Sequence, residues 1–225
     1  MKKIKIGDIY VEFIKRQNQK TIRLTLNKNN QIILSAPYFC TEKKAVEFAT
    51  KHLDWIKKHN CVNQEEKTFN NQDTVSILGT HYKIIHNPDY PSYITLKENT
   101  ILIGGEEKFI HRKVSNLAQK ELLKYIQNKA IEMGKKINKE PRKISLKNTT
   151  SRWGSCSSIG NLNFCWKIGF APLYVIDYLI AHEVSHLKEM NHSLKFWQTV
   201  SSLNVQQAEA EIWLRKNGKN IISIK

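Results

Sequence analysis

Apolar and polar residues alternate along the first part of the chain. Ile4, Ile6 and Ile9 punctuate a lysine-rich start, and Tyr10-Val11-Glu12-Phe13-Ile14 continues in extended character. Thr21-Ile22-Arg23-Leu24-Thr25-Leu26 alternates strictly, Asn27-Lys28-Asn29-Asn30 is made of turn formers, and Gln31-Ile32-Ile33-Leu34 returns. A period of two buries one face of a strand, so these segments predict a hairpin. The period changes at Thr41. Ala45, Phe48, Ala49, His52, Leu53 and Ile56 fall at helical spacing, which predicts one helix opening at Thr41. Short strands follow at 75–78, 81–86, 93–96 and 100–103.

Gly104-Gly105 interrupts this pattern. From 106 to 137 the apolar residues Ile110, Val114, Leu117, Leu122, Ile126, Ala130, Met133 and Ile137 recur mostly every three or four positions, a long helix that ends before Pro141. Strands are predicted at 143–147 and 161–168. Pro172 stands where a helix would start, and that helix carries Val175, Ile176, Leu179 and Ile180. Another begins near His192, with Phe196, Trp197 and Val200. A last one spans 205–216 and is closed by Gly218. The whole is of the α+β class, with a strand-rich region at 1–104 holding one helix and a second domain at 105–225 with a short antiparallel sheet.

The apolar helix leads into His182-Glu183-Val184-Ser185-His186. Positions i and i+4 stand one turn apart on one helix face, so both imidazoles can reach one metal at about 2.0–2.1 Å. The neighbouring glutamate can accept a proton from a water bound to that metal. One Zn2+ ion is the expected cofactor. A catalytic zinc needs a third protein ligand and an open position. His192 is the best candidate, although six residues of continuous helix would turn it off the metal-facing side. A turn through Lys188-Glu189-Met190-Asn191 is therefore expected, with Glu189 or Glu209 as substitute ligands. His52, His59, His81, His86 and His111 have no partner at ligand spacing beside an acid.

Composition changes the picture in two places. The net charge is +16, and residues 1–60 hold 13 Lys/Arg against 5 Asp/Glu. Such a surface favours anionic partners, nucleic acid foremost, and supports an alternative in which the basic N-terminal region holds DNA near a protein substrate. Cys40, Cys61, Cys156 and Cys165 form no Cys-x-x-Cys pair, which argues against a thiolate zinc ribbon and for reduced thiols. No apolar run is long enough to span a bilayer, and the N-terminus has no signal-peptide core, so no membrane partner and a cytoplasmic location are expected. Oligomeric state is not encoded in any motif.

Ser151-Arg152-Trp153-Gly154-Ser155-Cys156, Gly160-Asn161-Leu162-Asn163-Phe164, Ala171-Pro172, Val175-Ile176-Asp177-Tyr178, the histidine motif and Asn191-His192-Ser193 with Phe196-Trp197 together resemble the YgjP-like metallopeptidases. These are akin to the SprT-like and other small gluzincin-like zinc peptidases. The resemblance implies a zincin-like catalytic region at 105–225 that hydrolyses peptide bonds. It implies His182, His186 and His192 as zinc ligands, with Glu183 as catalytic acid/base. It also implies that the strand near Asn161 borders the cleft, where a peptide substrate could pair with its edge. Arg152, Asn161 and Asn163 are the expected substrate contacts. Trp153-Gly154 is expected to pack that strand against the motif helix, and Asp177 to sit behind the ligands or in a helix-face ion pair. Cys165 departs from the family, where asparagine is commoner, and a fourth ligand there would alter the mechanism. A non-catalytic module with a structural zinc is the third reading, and the presence of Glu183 speaks against it.

Overall fold

The computed structural model describes residues 2–27, 31–59, 67–203 and 205–225. Most of the expected turn at 27–30 lies outside them, as does Cys61. The chain divides into two compact units, Met1–Glu65 and Glu66–Lys225.

In the first unit the alternating segments form β1 (Lys2–Ile6), β2 (Ile9–Arg16), β3 (Arg23–Leu26) and β4 (Ile32–Pro37). The sheet order is β1-β2-β4-β3, with β2 and β4 parallel and the other pairs antiparallel. Gly7 makes the first turn at φ +60°, a conformation that favours glycine. The expected single helix is two, α1 (Glu42–Lys51) and α2 (Leu53–His59), broken at His52. Thr41 caps α1, its side chain accepting from the Lys44 N–H. Ile4 and Ile6 of β1 and Ile9, Val11 and Phe13 of β2 share a core with Leu34, Ala36, Ala45, Ala49 and Ile56.

The second unit begins with β5 (Thr74–Ile77), β6 (Thr80–Asn87), β7 (Ile94–Lys97) and β8 (Thr100–Gly104), in the order β5-β6-β8-β7. The sequence places these strands with the N-terminal region and draws a boundary at 104. The compact units instead meet at 65/66, because Val75, Ile77, Ile84, Ile101 and Ile103 lie in one continuous core with the helices that follow. The long helix α3 (Ile110–Lys136) buries Ile110, Val114, Ala118, Leu122, Ile126 and Ala130, one residue in every four, and runs through the middle of that core.

Next come β9 (Lys143–Lys147), β10 (Gly154–Cys156) and β11 (Asn161–Cys165), in the order β10-β11-β9. This sheet is mixed rather than antiparallel: β10 and β11 form a hairpin, while β11 runs parallel to β9. The predicted strand at 161–168 stops at Cys165 and tightens into a buried 3-10 segment, Trp166–Phe170. The last helices are α4 (Leu173–Ser185), α5 (Leu194–Ser202) and α6 (Gln207–Ile222). Gly218 does not close α6. It sits inside the helix, where an added Cβ would come within 3.0 Å of the Trp153 ring. The small residue there is a packing requirement that outweighs the ~1 kcal/mol a helical glycine costs relative to alanine. Among the described residues no helix is long and apolar enough to cross a membrane.

Candidate metal centre

The site is built on the end of α4. Val175, Ile176, Leu179, Ile180, Ala181 and Val184 are all buried, so packing holds this helix on nearly every side. His182 and Glu183 lie in its last turn and His186 is its C-terminal cap, so the one-turn spacing survives. The His182 and His186 ring centroids are 5.1 Å apart. The chain then turns back, with Leu187 N–H donating to Val184 O and Lys188 and Glu189 N–H to Ser185 O. This is the break that a third histidine requires. His192 precedes α5, whose cap is Ser193, and its Nε2 lies 3.1 Å from Nε2 of His182. One nitrogen from each of His182, His186 and His192 falls within 4.8 Å of the others, and no other His, Cys, Asp or Glu joins the cluster among the described residues.

α5 supplies the floor. Phe196 is fully buried, and its ring centroid lies 5.0, 4.5 and 4.7 Å from those of His182, His186 and His192. Trp197 stacks on His192 at 5.8 Å. The helical spacing of these aromatics is legible in the sequence, but their seat under all three imidazoles is not.

The donor set fits a zinc ion. His186 Nδ1 lies 3.0 Å from Glu189 O, an acceptor that places the proton on Nδ1 and leaves the Nε2 lone pair free for a metal. Glu189 thus contributes a carbonyl behind His186, whereas Glu209 is exposed on α6. Burial, then the neighbouring imidazoles, push the His182 pKa down to about 4, and burial lowers that of His186. Both rings therefore stay unprotonated, as ligands must be, below the usual histidine range.

Glu183 is only 5% exposed. It lies against the backbone of β10, where a Cβ on Gly154 would fall 2.6 Å from Glu183 Cγ and 2.7 Å from Cδ, and closer still to Oε1. Burial raises its pKa to about 7, partly opposed by the charge of Arg152. The two shifts have opposite linkage. Lowered histidines remove stability as pH falls from 6.5 toward 4, because the unfolded chain binds more protons there. The raised Glu183 adds stability as pH falls from 7 toward 4.5, because the folded chain binds more. They offset each other in the shared window. Chelator-treated Glu183→Gln should therefore lose Tm more steeply than wild type between pH 6.5 and 4.5, and parallel Tm profiles would refute the raised carboxyl.

A cavity of about 550 Å3 opens beside the cluster, lined by Arg152, Trp153 and Gly154, by Tyr178, Leu179, His182 and Glu183 of α4, and by Glu211, Leu214 and Arg215 of α6. A smaller one of about 230 Å3 lies along β10 and β11 and includes Arg152, Ser155 and Asn163. Of the expected substrate contacts, Arg152 borders both cavities, Asn163 borders the smaller, and Asn161 lines neither. β11 is the central strand of its sheet, so edge pairing there is blocked; the free edge next to Glu183 belongs to β10. Gly154 does pack against the motif helix, while Trp153 reaches Gly218 of α6. Cys165 turns its Sγ to Thr149 O at 3.2 Å, away from the histidines, and Cys40, Cys156 and Cys165 are free thiols. Asp177 accepts from the Tyr125 hydroxyl at 2.6 Å, tying α4 to α3.

Two lining residues escape the sequence. Tyr178, four residues before His182 and so on its face, donates to Glu211 Oε1 at 2.8 Å, and Gln207 donates to the same oxygen at 3.0 Å. The i−4 spacing was a usable signal for Tyr178. Glu211 arrives from a helix that only tertiary packing brings near.

Residues 20–217 match the family described as YgjP-like, metallopeptidase domain. No curated protein and no solved structure matches the chain.

Proposed function

Because the chain belongs to the YgjP-like metallopeptidase family, we propose that it is a zinc-dependent peptidase of the zincin-like kind, with His182, His186 and His192 holding one Zn2+ and Glu183 as general base. The observation that carries this reading is the convergence of three imidazoles, one of which, His182, lines a cavity together with the buried carboxyl of Glu183. When bound there, zinc supplies Lewis acidity, lowering the pKa of a water toward about 7 and polarising a carbonyl.

The protein's own groups then do the proton work. Glu183 takes a proton from the attacking water as the new C–O bond forms, and returns it to the leaving nitrogen as the C–N bond breaks. Burial of the Glu183 carboxyl raises its proton affinity, which suits a group that must both accept and return a proton. The free edge of β10 offers backbone groups to an extended peptide next to that carboxyl. The absence of a fourth His, Cys, Asp or Glu near the three rings among the described residues favours an open coordination position over a closed structural site.

Gly154 has a definite part in this scheme. Gly154→Ala forces the Glu183 carboxyl out of its seat while leaving the histidines untouched, and should lower kcat about 10²-fold with zinc content unchanged. Wild-type kcat in this variant would show that the close approach is immaterial. The test of the function itself is cleavage of a peptide library by zinc-loaded protein, read by mass spectrometry, with and without chelator. Failure to cut any peptide would sink the peptidase reading.

A further inference from the structure

The large cavity also carries information about what is cut. Arg152, just before β10, and Arg215, on α6, both line it, together with His182 and Glu183. Arginine is scarce in this chain: six of its 36 basic residues are Arg, and two of the six border one concavity. Neither guanidinium forms an ion pair among the described residues. Arg215 could have paired with Glu211 one turn earlier on α6, but Glu211 Oε1 instead accepts from Tyr178 and Gln207. The same cavity is also lined by Trp153, Leu179 and Leu214. Apolar walls lower the local dielectric and strengthen any charge pair formed there, and the planar guanidinium fork matches a carboxylate in two-point geometry.

We propose that Arg152 and Arg215 form a carboxylate-binding subsite, so that the preferred substrate is a peptide bearing a carboxylate beside the scissile bond. This rests on the peptidase reading. The carboxylate can belong to an Asp or Glu side chain or to a free C-terminus. Glu211 Oε1 already accepts from the Tyr178 hydroxyl and the Gln207 amide, so that oxygen is satisfied within the wall.

The experiment uses four matched peptides: one with Glu and an amidated end, one neutral with a free C-terminal carboxylate, one neutral and amidated, and one with Lys and an amidated end. Cleavage by the zinc-loaded wild type, Arg215→Gln and Arg215→Glu is compared. Binding of the same peptides to zinc-loaded Glu183→Gln, with and without each Arg215 change, is measured by fluorescence anisotropy. One carboxylate peptide is expected to exceed the neutral amidated one at least tenfold in kcat/KM, and which one it is identifies the source. Arg215→Gln should cut that ratio about tenfold, and Arg215→Glu should turn the preference toward Lys, a gain that misfolding cannot produce. A wild-type ratio near one, a ratio unmoved by Arg215→Gln, or preference for the Lys peptide in wild type overturns the subsite. If no peptide is cleaved, the function fails separately, and the anisotropy ratios still decide whether carboxylates are recognised.

Discussion

Glu183→Gln keeps its zinc and loses about 10² to 10⁴ in kcat, the range that a positioned general base contributes. The substitution preserves shape: the amide fills the same buried seat against Gly154, so neither the packing of α4 nor the three imidazoles is disturbed. It removes only the ability to accept a proton. Zinc content by metal analysis and single-turnover cleavage of one good peptide give the two readouts. Full hydrolysis by the variant would overturn the base assignment, and loss of zinc would show that the carboxyl has a role in holding the metal.

His192→Ala separates the third ligand from the pair. His192 is exposed and precedes α5, so its removal costs little packing, whereas Phe196 beneath it remains in place. The expected result is a folded protein whose zinc affinity falls by more than the ~10–100-fold typical of losing a partner behind a ligand, with activity lost at limiting zinc. Competition with a chromophoric chelator measures the affinity and circular dichroism checks the fold. Unchanged affinity would show that His192 does not hold the ion.

Much of the secondary structure is legible because its cause is local. Side-chain periodicity alone separates β1 to β4 from α1 and α2, and the four-residue rhythm of α3 follows from one buried stripe. The break at His52 is harder to read, since Ala45 to Ile56 keeps an apolar rhythm across it. Gly218 misleads for a different reason. Glycine usually marks a helix end, but here a tryptophan from 65 residues earlier needs the space. The boundary at 104 misleads in the same way: Gly104-Gly105 is a local break, whereas the core crosses it.

His182, Glu183 and His186 could be paired from sequence because one helical turn fixes their mutual distance whatever the rest of the chain does. His192 could be nominated, but its place beside His182 and over Phe196 is set by how the chain after the turn at 187–189 packs back on α4. The seat of Glu183 on Gly154, the aromatic floor at Phe196, the approach of Glu211 and the two arginines that line one cavity all join residues far apart in the chain. Such contacts are set by which buried faces find each other, a property of the assembled core that no local pattern encodes.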